Sequence, residues 1–366
     1  MTWEPAAHLN CPALLKKFHA QERSALHPTT IKRAISKTIK RPINKGKPSI
    51  PKTTSSASMP TIWLAPSAAD ILKIPILLNT PINTPHRDEW SCLLATAEYC
   101  TSVYNDTDAE GPPDGFQWLE GYQYSAMPPP SSEALAGCSC VGNCMMSGEY
   151  ACQCILECVE SQAPYDASGH MQHRPEQGVV YECNPNCSCA KNCGMKVAQH
   201  GRKVALQIFR CGGQKGWGVR ALENIPQGTF VSKYAGEMMP SKLADWQAQT
   251  CDGAFLFSLD YFGESSTSGM SYVIDAKKFG NIARFFNHSC DPNMACYAMF
   301  LTTQTAEIHD LAFFTTRDVT AGEELTFSYF GNAAVGSKGK VSKAAGTVCL
   351  CGSAKCQKFV LMGGMA

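Results

Sequence analysis

The segment RFFNHSCDPN, residues 284–293, places four side chains with hydrogen-bonding or metal-binding groups directly after two phenylalanines. The last of them, Cys290, could be a nucleophile, half of a disulfide or a metal ligand. A nucleophilic cysteine needs a base, and His288 lies two residues away. The sequence shows no third group that would orient this histidine, so the Cys/His pair is a weak signal.

The cysteine content favours a metal over disulfides. The chain has 20 cysteines in 366 residues. Its N-terminal stretch lacks the basic and then apolar pattern of a signal peptide, and no run of 18 apolar residues predicts a transmembrane helix. We therefore expect an intracellular protein without a membrane partner, and disulfides rarely persist in that environment.

Nine cysteines form two closely spaced groups. Because C-x-C is too short for an easy disulfide between its own members, while thiolates one to three residues apart can converge on one zinc ion, zinc is the better interpretation. Nine thiolates hold three zinc ions if three of them bridge two metals each. The alternative is a mixture of buried structural cysteines and one ordinary zinc finger. The groups are Cys138, Cys140, Cys144, Cys152 and Cys154, then Cys183, Cys187, Cys189 and Cys193.

A third group near the C-terminus contains Cys349, Cys351 and Cys356. It offers three ligands, whereas a structural zinc ion prefers four. No cysteine or histidine follows it, so the fourth ligand must come from elsewhere in the chain. Cys290 is the candidate, and we expect one zinc ion here.

Short β-like runs separated by turns predict the element type that positions these groups. The runs VALQIF, TFVSKYAG, AFLFSLDYF, YVID, LAFFTTRDV and ELTFSYF predict an antiparallel, mostly β domain with little helix. Helical spacing of apolar residues predicts one short helix between Asp88 and Tyr99. The expected organisation is a basic disordered tail (1–85), a wrapping segment (86–137), a zinc cluster (138–203), the β domain (204–330), a flexible linker (331–348) and a C-terminal zinc segment (349–366).

Charge is unevenly distributed along the chain. Residues 1–60 contain 11 Lys or Arg and two acids, which gives about +9, and the remainder has about −8. A basic tail suggests contact with DNA phosphates and an acidic body suits a cationic substrate, although the tail could simply be solvated. The zinc block has only Arg174 and Lys191 as basic side chains between residues 138 and 193, too few to neutralise a nucleic-acid backbone.

Six motifs occur in an order that resembles the SET-domain protein lysine methyltransferases. They are the nine-cysteine block, GWG (216–218), YAGE (234–237), RFFNHSCDPN, GEELTFSYF (322–330) and CLCGSAKC (349–356). The pre-SET cysteine block and the post-SET tail narrow the resemblance to heterochromatin-type histone H3 lysine-9 methyltransferases, closest to fungal members. It covers about residues 112–361, and nothing before residue 86 resembles a chromodomain.

The resemblance implies a SET β-fold with a pseudoknot, in which residues 284–293 thread through a loop closed by ELTFSYF. It implies S-adenosylmethionine (AdoMet) on one face and a substrate-lysine channel entered from the other, with four zinc ions in total. Channel walls match Tyr234, Phe257, Phe327 and Tyr329. Cofactor contacts match Lys215, Gly216, Trp217, Phe255, Arg284, Asn287, His288 and Leu350, the last covering the adenine.

The implied activity is AdoMet-dependent methylation of lysine 9 in the histone H3 tail on nucleosomes, in nuclear heterochromatin. The resemblance also implies di- and trimethylation, because a phenylalanine rather than a tyrosine at position 327 leaves room for a methylated amine. Gly253, Phe255 and Ser328 depart from the residues that many relatives have, and a lost hydroxyl contact is worth about 0.5–1.5 kcal/mol. These departures leave open the alternative of a catalytically weak chromatin scaffold. Methylation of another histone or non-histone lysine is a separate alternative that keeps the chemistry and changes the target.

Overall fold

Short β-strands dominate the computed structural model, which describes residues 86–130, 136–144, 152–173, 179–212, 215–248, 253–260, 271–301, 308–329 and 347–360. These described residues belong to one unit. Within them, no helix is both long and apolar enough to cross a membrane. The predicted basic tail (1–85) and residues 331–346 of the predicted linker lie outside the described residues.

The mostly β prediction is confirmed, because strands outnumber helices in the described part of the chain. The helices are α1 (Arg87–Leu94), α2 (Gln153–Leu156) and α3 (Ser241–Ala248), with 3₁₀ turns at Val159–Ser161, Ala198–His200 and Ile282–Phe285. The strands are β1 (Thr101–Tyr104), β2 (Gln117–Trp118), β3 (Tyr122–Gln123), β4 (Val180–Tyr181), β5 (Leu206–Arg210), β6 (Trp217–Ala221), β7 (Phe230–Lys233), β8 (Gly236–Pro240), β9 (Leu256–Ser258), β10 (Tyr272–Asp275), β11 (Phe279–Gly280), β12 (Asn287–His288), β13 (Met294–Phe300), β14 (Asp310–Thr315), β15 (Thr326–Phe327), β16 (Thr347–Val348) and β17 (Phe359–Val360).

Three larger sheets carry the fold. Their strand orders are β1-β5-β6, β3-β8-β10-β9 and β4-β13-β14-β7, and the pairs β2-β11, β12-β15 and β16-β17 stand beside them. Strand β9 is an edge of its sheet in the described part of the chain, which leaves one side of its backbone without a strand partner there.

The prediction of antiparallel pairing was only partly right. Strands within residues 204–330 pair antiparallel except for β12 with β15. However, β1, β2, β3 and β4 all precede residue 204, and each pairs parallel with a strand of the later domain. Parallel pairs need long connections rather than tight turns, so they join segments that lie far apart in sequence.

The predicted helix at residues 88–99 exists but is shorter. Helix α1 ends at Leu94, and the N–H of Ala95 turns back to the carbonyl of Cys92. Trp90 and Leu94, four residues apart, are its buried side chains, as expected for one inward face. Asp88 and Glu89 in its first turn suit the positive end of the helix dipole.

Strand β14 separates two hydrophobic cores. Side chains alternate in direction along a strand, so neighbouring residues face opposite sides of a sheet. Phe313 packs into the core that contains Tyr234 and Phe327, and Phe314 packs into the core formed around the pre-SET cysteines. Both phenylalanines are fully buried. We call these the channel core and the cysteine core.

The segment 287–293 runs beside the segment that contains β15. Strands β12 and β15 pair parallel, and the N–H of Ser289 donates to the carbonyl of Phe327 at 3.0 Å. The Asn293 amide donates to the carbonyl of Glu324 at 2.8 Å and accepts from the N–H of Thr326 at 2.9 Å. Backbone and side-chain hydrogen bonds thus hold the two motifs together.

Candidate functional site

Four predicted channel residues form one aromatic group. Tyr234 follows β7, Phe257 lies in β9, and Phe327 and Tyr329 lie in and just after β15. Ring centroids are 5.2 Å apart for Tyr234–Phe257, 6.1 Å for Phe257–Phe327 and 5.0 Å for Phe327–Tyr329. Phe313 closes one side at 4.8 Å from Phe327. Since Tyr234 and Phe327 are each 1% exposed, the walls offer a dry surface.

Two tyrosine hydroxyls are anchored in this group. Tyr234 donates to the carbonyl of Phe255 at 2.8 Å, and Tyr329 donates to the carbonyl of Phe286 at 3.0 Å. Burial raises the pKa of both phenols above their ordinary value. They therefore stay protonated at neutral pH, and each oxygen keeps acceptor lone pairs. These groups can orient an amine but cannot remove its proton.

Arg284 is enclosed by aromatic rings. Its guanidinium carbon lies 4.0 Å from the ring centroid of Phe255, 4.9 Å from that of Phe116 and 5.3 Å from that of Phe285. Its Nε donates to the carbonyl of Ala276 at 2.9 Å. Burial lowers its pKa to about 10, so it remains charged at neutral pH. No ion pair of Arg284 is found among the described residues, and the cation is thus suited to an anionic ligand.

Glu324 joins three of the predicted motifs, a role that the sequence did not indicate. Asn287 donates from Nδ2 to the carbonyl of Trp217 at 3.0 Å and to Glu324 Oε1 at 2.9 Å. The other oxygen of Glu324 forms an ion pair with Lys215. A Cβ at Gly218 would lie 2.8 Å from Glu324 Oε1 and 3.0 Å from Asn287 Nδ2, so a larger residue here would displace these side chains. Glu324 thus holds Asn287 and Lys215, and Asn287 in turn bonds the carbonyl of Trp217.

Trp90 is a second residue whose place sequence reasoning did not find. Helical spacing predicted the helix that carries Trp90 but not the contacts of this residue. Its ring meets that of Trp217 edge-on at 5.0 Å and lies 6.2 Å from Phe285. Trp90 is fully buried. Helix α1 therefore supports Trp217, a predicted cofactor contact, and Phe285, the neighbour of Arg284 in the chain.

The other predicted cofactor residues differ in their setting. Gly216 has φ of +73°, a left-handed conformation that favours glycine. His288 is buried beside Tyr329, with 5.3 Å between ring centroids. Leu350 is 45% exposed and belongs to none of the hydrophobic clusters that the described residues form. The predicted contact of Leu350 with the adenine stays a prediction.

The pre-SET cysteines converge on one small volume. Seven of them form three overlapping quartets in which all four sulfurs lie within 4.8 Å of one another. Cys138 belongs to all three quartets, and Cys144, Cys152 and Cys183 belong to two each. Such sharing is what bridging ligands require. The quartets are Cys138, Cys152, Cys154 and Cys183; Cys138, Cys144, Cys183 and Cys189; and Cys138, Cys140, Cys144 and Cys152.

The remaining two pre-SET cysteines adjoin these quartets. The sulfur of Cys187 lies 3.7 Å from that of Cys154, and the sulfur of Cys193 accepts the N–H of Cys144 at 3.3 Å. Hydrogen bonding by Cys183 lowers the pKa of Cys154 to about 6. Cys158 instead bonds the carbonyl of Cys154, and burial raises its pKa to about 11, as expected for a structural thiol.

A fourth quartet combines Cys290 with Cys349, Cys351 and Cys356, again with all sulfurs within 4.8 Å. Four sulfurs at 2.3 Å from a tetrahedral zinc ion are separated by about 3.8 Å. The sulfurs of Cys290 and Cys349 lie 3.8 Å apart, as do those of Cys138 and Cys144. The spacing fits zinc, and it is far longer than the roughly 2 Å of a disulfide.

Comparison with known families agrees with this geometry. The model of the SET domain matches residues 216–330, and that of the Pre-SET motif matches residues 95–196. The chain is 36% identical over 275 residues to "Histone-lysine N-methyltransferase, H3 lysine-9 specific" of Schizosaccharomyces pombe. That match covers 71% of this chain but 54% of the relative, so the chain spans about half of its length. Identity to "Histone-lysine N-methyltransferase SUV39H2" of Homo sapiens is 30% over 375 residues, covering 98% of this chain and 81% of the relative.

Solved structures share the fold. The Neurospora SET domain protein DIM-5, a histone lysine methyltransferase, matches with a TM-score of 0.57 at 32% identity. The matched region covers 69% of this chain and 99% of the DIM-5 chain. KRYPTONITE in complex with mCHH DNA, an H3(1-15) peptide and SAH matches with a TM-score of 0.57 at 27% identity. The matched region covers 72% of this chain and 52% of the KRYPTONITE chain. The second structure contains the demethylated form of AdoMet.

Proposed function

Since the chain belongs to the histone-lysine N-methyltransferases with Pre-SET and SET domains, we propose that it transfers methyl groups from AdoMet to lysine 9 of histone H3. The observation that carries this proposal is the buried group of four aromatic rings with its two anchored hydroxyls. The names of the relatives supply the target lysine. We propose di- or trimethylation on nuclear heterochromatin as the outcome.

The chemistry requires a neutral amine as the nucleophile. Neutralising a lysine with a pKa near 10.4 at pH 7.4 costs about 4 kcal/mol. A dry channel lowers this pKa, because burial disfavours the charged form. The walls Phe257 and Phe327 supply the dryness, and the hydroxyl oxygens of Tyr234 and Tyr329 can accept the amine hydrogens and fix the direction of the nitrogen lone pair. AdoMet supplies the methyl group.

Alignment is the second contribution of these residues. Holding two reactants in a near-attack geometry accounts for a large part of such a rate. The residues proposed to hold the cofactor are Arg284 and the bonded group of Asn287, Lys215 and Glu324. The enclosed guanidinium is suited to the carboxylate of the methionine part of AdoMet. The zinc ions held by the cysteine thiolates would be structural and take no part in the transfer.

The edge strand β9 is where we propose that the substrate peptide binds. Phe257, a channel wall, lies in the middle of β9, and this strand is an edge of its sheet in the described part of the chain. An extended peptide can add to such an edge through main-chain hydrogen bonds. The net charge of about −8 on the chain after residue 60 is favourable for a basic histone tail.

Methyl transfer to histone H3 peptides tests the proposal. Wild-type protein with radiolabelled AdoMet is expected to label a peptide that contains lysine 9 and to leave a peptide with arginine at this position unlabelled. An array of other histone peptides separates the alternatives. Labelling of other lysines without lysine 9 would contradict the target, and an AdoMet titration without heat of binding would favour the scaffold alternative.

We expect Arg284→Met to weaken AdoMet binding about 10- to 100-fold, because a hydrogen bond to a charged group contributes about 1.5–3 kcal/mol. Methionine keeps the apolar stem among the three rings and removes the charge. Calorimetric titration with AdoMet measures the change. Arg317→Met is the control, since Arg317 is 52% exposed and pairs with Glu323. Equal AdoMet affinity in wild type and Arg284→Met would contradict this role.

Phe327→Tyr is expected to shift the products towards monomethyl lysine. The Phe327 ring is stacked on that of Phe257 and packed against Tyr329, so an added hydroxyl would take space that a methylated amine needs. Mass spectrometry of an H3 peptide at long reaction times measures the degree. A wild-type enzyme that stops at one methyl group would contradict the proposal, and a variant that still completes three would contradict the steric argument.

A further inference from the structure

His288 lies between the C-terminal cysteine quartet and the channel, and its ring has a polar contact on each side. The backbone N–H of Tyr329 points to Nδ1 at 3.1 Å, and Nε2 lies 3.3 Å from the sulfur of Cys290. The residue is 8% exposed. It belongs to β12, which pairs with β15. One side chain therefore contacts both a proposed zinc ligand and the segment that bears a channel hydroxyl.

The contact with Tyr329 determines where the imidazole hydrogen sits. A backbone N–H can only donate, so Nδ1 must present its lone pair. The single ring hydrogen is then on Nε2, since the hydrogen bond at one ring nitrogen fixes the state of the other. Nε2–H consequently donates to the sulfur of Cys290. The nitrogen that faces the thiol already carries a hydrogen, so His288 cannot serve as the base that a nucleophilic Cys290 would need.

We propose that His288 is a positioning residue that stabilises the zinc-binding thiolate of Cys290 through Nε2–H and fixes the backbone of Tyr329 through Nδ1. The contact of His288 with Cys290, which we call the zinc half of the proposal, depends only on the cysteine quartet. The contact with the backbone of Tyr329, which we call the Tyr329 half, rests on the proposed methyltransferase function. Donors that bond a metal ligand orient it and influence metal affinity.

Cys290 is the ligand for which such a donor has the largest consequence. The three other ligands lie within eight consecutive residues, whereas Cys290 comes from the SET domain some 60 residues earlier. Its sulfur also accepts the N–H of Gln357 at 3.3 Å. Two N–H groups thus converge on this sulfur, one from each segment that the zinc ion would join. The two hydrogen bonds would orient this sulfur towards the metal from both sides.

Two substitutions separate the two contacts, because asparagine and glutamine each imitate one ring nitrogen. His288→Asn offers a carbonyl oxygen near the position of Nδ1 and no donor that reaches Cys290. His288→Gln offers an amide donor near the position of Nε2 and no acceptor for the N–H of Tyr329. Both keep the backbone of residue 288 and its pairing in β12.

The full-length protein is titrated with a chelating dye that competes for zinc, without AdoMet or peptide. We expect His288→Asn to release the quartet zinc about 10- to 100-fold more readily, and His288→Gln to hold it close to the wild-type level. Retention of the three pre-SET zinc ions in both variants reports intact folding. With zinc in excess, His288→Gln is expected to lower kcat for methyl transfer more than His288→Asn does.

Several results would overturn the proposal. If His288→Asn held zinc as tightly as wild type, or if both variants lost the same zinc affinity, the zinc half of the proposal would be wrong. Equal kcat values for the two zinc-saturated variants would remove the Tyr329 half. If the wild-type protein showed no methyl transfer at all, the proposed function would fail, while the zinc titration would still decide the contact with Cys290.

Discussion

Cys290→Ser is expected to leave three zinc ions in a protein that otherwise binds four, and to reduce methyl transfer at least 100-fold. Cys290 is the member of the fourth quartet that comes from the SET domain. Without this thiol, residues 349–356 lose their zinc-mediated connection to the SET domain. The loss is large, because a structural zinc ion contributes about 10–16 kcal/mol of apparent binding energy to the fold around it. The three pre-SET quartets share no ligand with this one, so their metal should stay.

Zinc content per protein, measured by elemental analysis, tests this prediction together with the rate on an H3 peptide. Cys92→Ser is the matched control, because Cys92 is exposed and belongs to none of the four quartets. It should retain all zinc and full activity. Four zinc ions in Cys290→Ser would show that the quartet does not depend on this thiol, and a loss that extended to the pre-SET zinc ions would contradict the separation of the two centres.

Tyr329→Phe is expected to lower kcat about 100-fold while AdoMet affinity stays near that of wild type. The substitution removes one hydroxyl that bonds the carbonyl of Phe286 at 3.0 Å and leaves the ring. A small misplacement of reacting groups can cost about 100-fold in rate, so the loss of an orienting hydroxyl acts on turnover rather than on cofactor binding. Single-turnover methylation and an AdoMet titration separate the two effects.

Tyr297→Phe provides the control for Tyr329→Phe. The Tyr297 hydroxyl also donates to a backbone carbonyl, that of His173, at 2.9 Å, but its ring lies in the cysteine core. Both substitutions remove a hydrogen bond worth about 0.5–1.5 kcal/mol. Tyr297→Phe should therefore lower stability without a comparable change in kcat. Similar kcat losses in the two variants would indicate a general loss of stability instead of a role in the channel.

The chemistry of the cysteines was the most predictable part of the protein from sequence. Ligands of a zinc cluster lie close together along the chain, so their spacing reveals them directly. Cys290 could be named as a ligand candidate because a group of three thiols lacks one member. The mostly β character was also predictable, since strands such as β10 and β14 contain the short apolar runs YVI and LAFF.

What sequence reasoning missed depends on contacts between distant segments. Strands β2, β3 and β4 have two residues each, too short for any periodic pattern, and they form only by pairing with later strands. Glu324 resembles any surface acid in sequence, and its role follows from the simultaneous approach of Lys215 and Asn287. Trp90 has the spacing of an ordinary core residue, and its partner Trp217 lies far along the chain.

The alternation of Phe313 and Phe314 along β14 has a consequence for dividing this chain. A fragment that began at residue 204 would keep Phe314 and Phe230 but lose Tyr165 and the cysteines of the same core, so part of the interior would face water. It would also lose the parallel partners β1 and β4, leaving backbone groups of β5 and β13 open to other molecules. The cysteine-rich segment and the SET domain can thus be divided in sequence, but they are not independent folding units, because strand β14 contributes side chains to both hydrophobic cores.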